Sequence, residues 1–204
     1  MRIRWGPPLG YLPVSLESTC IRVCLAAALA LTALPAAAQD RVPTPLALQV
    51  MLRVLAYDRN FDTHGTGDFV IIVAVEPRQG EAKTEAMPAM KALEGAAIHG
   101  RQIRFVTAEL HGEQSLRESV QKQGASALLL LPGLSHEGLN AAAAVARAHR
   151  LYTLSLDPAL VEQSLALGIA NKDGRPQIVL NLAAAKDANA EFDVAVLKLA
   201  RLIR

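Results

Sequence analysis

The 204-residue sequence predicts an α/β fold: a three-layer, Rossmann-like single domain with a mostly parallel sheet, a C-terminal antiparallel hairpin and a closing helix. Three observations carry that expectation. The runs at residues 69–75 and 127–131 are apolar throughout and do not alternate, as strands covered on both faces must be. Segments of helical length and character separate them, which implies right-handed crossovers between parallel strands. The last quarter then breaks the rhythm with Asn171-Lys172-Asp173-Gly174, a loop suited to a hairpin because Asp-Gly tolerates positive φ.

Taken in order, residues 39–45 hold Pro43 and Pro45 and read as a short tether before a domain at 46–204. Leu46, Val50, Val54 and Tyr57, widened by Met51 and Leu55, form the stripe of a first helix. The turn-rich stretch from Asp62 to Asp68 leads into the strand Phe69–Val75. Residues 81–95 are helical in pattern, with Pro88 predicting a kink or two shorter pieces. Residues 102–107 read as a strand and 115–123 as a helix stopped by Gly124. After the strand at 127–131 come Pro132-Gly133 and an alanine-rich helix, His136–His149, with Ser135 as its N-cap. Residues 151–156 form a further strand. The hairpin arms are 166–170 and 177–180, and a final helix is expected over 193–203. Its Lys198, Arg201 and Arg204 would sit where the helix dipole favours positive charge.

The amino-terminal segment predicts a destination. Arg2, Arg4 and Arg22 precede an apolar run at 23–34, and Pro35 and Ala36-Ala37-Ala38 follow it. That is the pattern of a cleaved signal peptide over residues 1–38, with the cut between Ala38 and Gln39. The run of about a dozen residues falls short of the ~20 that span a bilayer. Arg22 spoils a lipobox at Cys24. The expectation is therefore a periplasmic protein. Removing the leader lowers the formal net charge from +2 to zero and takes away both cysteines, Cys20 and Cys24. A balanced charge takes away the support for a nucleic-acid or polybasic membrane-surface reading, and the absence of thiols excludes disulfides and thiolate metal sites.

In an open parallel sheet ligands bind beyond the carboxyl ends of the strands. The polar residues expected there are Glu76, Glu109, Ser135, His136, Ser155 and Asp157. A Ser-His-Asp hydrolase can be written from them, yet Ser135 lies in no G-x-S-x-G elbow, so no catalytic residue is assigned. Asp62, His64 and Asp68 lie close in sequence but match no zinc motif, so no metal ligand is assigned either. His99, His111, His136 and His149 are scattered through expected loops and helix ends. Gly65-Thr66-Gly67 comes before a strand rather than after one, so it aims no backbone N–H groups at a phosphate. No cofactor is expected.

The C-terminal segment carries a resemblance. Val161-Glu162-Gln163, Gly168-Ile169, the Lys172-Asp173-Gly174 loop, Ile178-Val179-Leu180-Asn181-Leu182-Ala183-Ala184-Ala185 and Leu197-Lys198-Leu199-Ala200-Arg201-Leu202-Ile203 follow one another in the order of the YfiR-like (YfiR/HmsC) periplasmic proteins. The chain departs from that family where an aromatic-rich first-helix element is replaced by Val54-Leu55-Ala56-Tyr57-Asp58-Arg59-Asn60, and where Ser164-Leu165-Ala166 replaces Gly-Gly-Met. The resemblance implies a non-catalytic regulator that binds the periplasmic domain of an inner-membrane diguanylate cyclase or sensor kinase and modulates cyclic-di-GMP or kinase output. It also implies an outer-membrane lipoprotein as a second partner, with Glu162 and Gln163 as the partner-binding pair; a homodimer is compatible with it. The alternative expectation, from the strand-end crevice, is a periplasmic small-solute-binding protein.

Overall fold

The computed structural model describes residues 41–204. The expected leader, its Ala38–Gln39 cut and both cysteines lie outside the described residues. From Thr44 the chain alternates helices and strands: α1 (Thr44–Leu55), β1 (Phe69–Val75), α2 (Gly80–Leu93), β2 (Ala97–Ile98), β3 (Arg101–Glu109), α3 (Glu113–Gln123), β4 (Ala127–Leu130), α4 (His136–His149) and β5 (Tyr152–Ser155). There follow α5 (Pro158–Gln163), β6 (Leu167–Lys172), β7 (Arg175–Asn181), α6 (Leu182–Asp187), α7 (Val194–Leu199) and β8 (Arg201–Ile203). Single 3-10 turns occupy Phe61–His64 and Pro77–Gln79.

The eight strands lie in the order β2-β3-β1-β4-β5-β6-β7-β8. Every pairing is parallel except β2 with β3 and β6 with β7. The sequence-derived α/β fold class is thus the observed one. β1 is buried at every residue, and its pleat divides the core. Phe69, Ile71, Val73 and Val75 face one layer with α1 and α2, whereas Ile72 and Ala74 face the other with α3 and α4. β4 divides likewise, Leu129 to the first layer and Leu128 and Leu130 to the second. Each such buried aliphatic side chain contributes roughly 1.5–3 kcal/mol, which explains why both runs lack polar residues.

Four expectations change. α1 begins at Thr44, so Thr44 and Pro45 belong to the helix rather than a tether; Pro45 sits in the first turn, where a missing N–H costs no hydrogen bond. The buried side of α1 is Ala47, Leu48, Met51, Leu52, Val54 and Leu55, while Leu46 and Tyr57 are exposed. The expected stripe was therefore rotated partway around the helix. α2 runs through Pro88 as one helix rather than two shorter pieces. Pro88 and Thr84 both face solvent, so water can take the carbonyl that the ring leaves unpaired.

The closing helix is the larger correction. It stops at Leu199, and Arg201–Ile203 instead adds a parallel strand to β7, pairing with Val179, Leu180 and Asn181. An unpaired sheet edge offers a row of backbone partners, and a six-residue helix has too few bonds to outcompete it. The hairpin is as expected in place and turn. Asp173 and Gly174 both have positive φ, 54° and 76°, the geometry of a tight two-residue connection between β6 and β7.

Candidate functional site

The chain leaves β1 for β3 on one side of the sheet and returns past β1 to place β4 on its other side. Between the carboxyl ends of β1, β3 and β4 the connections diverge and open a crevice. An open cleft of about 440 Å³ lies there, lined by Glu76, Arg78, Leu110, His111, Ser135 and Glu137 together with Pro77, Gly112 and Gly138.

Glu76 follows β1 directly, and its side chain is only 12% exposed. It reaches across to the start of α4. Oε2 accepts from the Ser135 backbone N–H at 3.1 Å, and Oε1 accepts from the Ser135 hydroxyl. The Ser135 Oγ in turn accepts from Gly138 N–H at 2.9 Å, completing the N-cap expected from sequence. Arg78 Nε donates to Glu76 Oε2 at 2.9 Å. The chain's own carboxylate thus occupies the positive end of the α4 dipole. Gly138 makes room for it: a Cβ there would lie 2.4 Å from Glu76 Oε1.

Gln79 secures the floor of the cleft. It is buried, with Oε1 accepting from Glu76 N–H at 2.8 Å and Nε2 donating to the Leu131 and Pro132 carbonyls at 3.0 and 2.9 Å. The amide satisfies both strand ends, so the separation of β1 and β4 at their tips is held by hydrogen bonds rather than packing alone. On the far wall His111 Nε2 lies 2.9 Å from Glu109 Oε2, with both side chains exposed. The His111 backbone N–H donates to Ser115 Oγ, which fastens the loop to the first turn of α3.

The structure therefore gathers Glu76 and Ser135 of the expected strand-end residues around one opening, while Glu109 reaches it only through its contact with His111. His136 is exposed on the first turn of α4. Ser155 and Asp157 close a local turn: the Ser155 hydroxyl donates to the Asp157 carbonyl and accepts its N–H, and Asp157 Oδ1 caps α5 through Ala159 N–H. Ser135, whose hydroxyl is committed to Glu76 and Gly138, shares no hydrogen bond with them. Arg78, Gln79 and Gly138 went unread in the sequence. The glutamine three residues after Glu76 and the glycine inside a helical first turn were the available signals.

The other expected groups separate. Asp62 is exposed, Asp68 lies 3.8 Å from Arg104, and the His64 ring packs at a tilt against Tyr152 with centroids 4.0 Å apart. Glu162 pairs with Arg201 of β8 at 2.7 Å, and Gln163 is exposed at the end of α5. Asn181 of the resemblance caps α6, accepting from Ala183 and Ala184 N–H, and its amide donates to Val161 O. Among the described residues no helix is long and apolar enough to cross a membrane.

No protein-family model and no curated protein matches the chain. Solved structures do match in fold. One is a conserved domain protein from Vibrio cholerae, with TM-score 0.56 and 14% identity over 79% of this chain and 60% of that one. Another is an ABC domain in complex with L-Trp from Streptococcus pneumonia, at 0.51 and 10% over 79% and 62%. A third is a ligand-free, open substrate-binding protein with adhesive properties from Clostridium difficile, at 0.57 and 10% over 81% and 61%. The chain spans about three fifths of the length of each of these structures. At such identities the likeness is one of fold.

Proposed function

We propose that this chain is an exported, non-catalytic binding protein for a small solute, held in the cleft over Glu76, Arg78, His111 and Ser135. The observation that carries the reading is the position of that cleft, at the point where the strand connections diverge and two helix N-termini converge. Two solved structures of similar fold support it through their descriptions, one a substrate-binding protein and one a complex with L-Trp. The lining carries both signs, Arg78 against Glu76 and Glu137. That suits a zwitterion such as an amino acid better than a neutral sugar. With the α4 terminus already filled by Glu76, the ligand's carboxylate falls to Arg78 and its ammonium to Glu137.

The test is a thermal-shift screen over amino acids and sugars, followed by calorimetry. A ligand at one hundred times its Kd adds about 2.7 kcal/mol to stability, and Arg78→Ala should abolish that gain. An unchanged melting temperature with every amino acid and sugar would sink the reading.

The YfiR-like resemblance motivates a second reading, a periplasmic regulator of an inner-membrane cyclase or sensor kinase. What favours it is the exposure of three large apolar side chains, Tyr57 (57%), Val194 (52%) and Leu199 (73%), since partner contacts are built on such anchors. In-cell cross-linking should then capture one inner-membrane sensor, and Leu199→Asp should lose it. Unchanged cyclic-di-GMP and kinase output after deletion of the gene would count against this reading.

A further inference from the structure

The opposite pole of the sheet, where the parallel strands begin, holds an open cavity of about 360 Å³. β1 alone is seven residues long, which puts this pole about 20 Å from the cleft described above. Its wall includes Thr63, His64, Ser126, His149, Arg150 and Asn189, and among the described residues no carboxylate lines it.

Behind Ser126 lies Arg101, 8% exposed. Its Nε donates to Gly67 O at 2.7 Å, and its Nη2 donates to Asp68 O at 3.0 Å and to Ser126 Oγ at 2.8 Å. Its guanidinium carbon stands 5.6 and 5.2 Å from the Phe61 and Phe69 ring centres. Among the described residues Arg101 forms no ion pair, and its Nη1 makes no hydrogen bond. Asp62 and Asp68 lie near enough to favour its charge, yet neither pairs with it, and Asp68 lies toward Arg104. Burial opposes the Arg101 charge more strongly than the neighbouring Asp62 and Asp68 carboxylates favour it. The cavity wall approaches it closely at Gly65, where a Cβ would lie 3.4 Å from Nη2.

Two more unpartnered nitrogens gather at the same cavity, Nε2 of His64 and Nε2 of His149. The other His64 nitrogen donates to the Arg150 carbonyl. A partly compensated buried cation thus lies behind a cavity wall that, among the described residues, has three basic side chains and no acid, and two idle imidazole nitrogens belong to that wall.

We propose that this cavity binds a small oxyanion, phosphate or carboxylate, whose charge balances Arg101 and whose oxygens meet Arg150 and the His64 and His149 rings after a small rotation of each ring. The site is independent of the solute cleft and of its ligand. An oxyanion at His64 Nε2 needs a proton on that nitrogen, so binding draws one onto the ring. The charged and titratable groups facing His64 are Asp58, Tyr152, Arg101 and Arg150. Asp58 and the Arg150 carbonyl favour the extra proton, but burial and the Arg101 charge outweigh them, so the anion itself must supply the remaining attraction.

The experiment is a titration of the ¹⁵N-labelled protein with inorganic phosphate and, separately, with acetate, at constant ionic strength set by sodium chloride. Ring ¹⁵N shifts of His64 and His149 are the readout. A saturable shift with one anion identifies the class, and Arg150→Asn, which keeps the left-handed turn, should weaken it about tenfold or more. His149→Gln serves as a second variant. The proposal is overturned if neither anion produces saturable ring shifts by about 50 mM, or if both variants bind as tightly as the parent.

Discussion

Tyr152 and Asp58 stand ninety-four residues apart in the chain, and the tyrosine hydroxyl of β5 donates to Asp58 Oδ2 just beyond α1. Both are almost fully buried. Asp58 Oδ1 meanwhile accepts the N–H groups of Asn60 and Glu191, so one carboxylate joins the first helix, the middle of the sheet and the segment before α7. Burial, with the Asp58 carboxylate beside it, pushes the Tyr152 phenol far above its usual range, so it remains a donor. Removing the hydroxyl in Tyr152→Phe should destabilise the protein by about 1–3 kcal/mol, the cost of a buried acceptor losing its partner. Chemical denaturation measures this; an unchanged midpoint would mean that water replaces the phenol.

Gly138 and Glu76 should behave as a coupled pair. In Gly138→Ala the methyl would displace Glu76 from the α4 terminus, costing about 1–3 kcal/mol by overpacking. The same substitution in a Glu76→Ala background should cost less, leaving only the tight contacts with Leu134 and Ser135. A double-mutant cycle checks this, and additive effects would show that Glu76 does not rest on Gly138 in solution.

His64 should make stability depend on pH. Burial lowers its pKa below 6.5, more strongly than the opposing pull of Asp58. The folded state therefore binds its proton less readily than the unfolded chain does. The stabilisation is complete above pH 6.5 and declines as pH falls from there toward the folded value. Unfolding measured between about pH 5 and 7 should show this slope, and His64→Gln should flatten it. A variant with the parent's slope would assign the proton to another group.

The strand β8 should protect the edge of β7. Leu202→Pro breaks the pairing opposite Leu180 and should cost about 1–3 kcal/mol, with faster hydrogen exchange at residues 179–181. If residues 201–203 were helical, as their composition suggested, exchange at β7 would not change.

Calorimetry of Arg78→Ala and Glu137→Gln against the best amino-acid ligand divides the cleft's two charges. Loss with the first variant places the ligand carboxylate, and loss with the second places the ammonium, each by about tenfold or more in Kd. Equal affinity in both variants would move the solute away from this cleft.

The α/β class, the two doubly buried strands, the Ser135 cap and the Asp173-Gly174 turn were all legible in sequence, because each follows from local pattern or backbone preference. A run such as Phe69–Val75 has no polar face to offer water, and an Asp-Gly step needs no distant partner to turn. What only the tertiary structure decided depends on residues far apart. Arg201–Ile203 leaves its helix because β7 offers an edge, and the buried face of α1 is chosen by the sheet it packs on. Arg78, Gln79 and Gly138 join the cleft because β1 and β4 end side by side. Arg101 is buried among the Gly67 and Asp68 carbonyls and Ser126 because β3 begins beside the loop before β1. Local preference sets the elements, while long-range hydrogen bonding and burial determine which side chains meet.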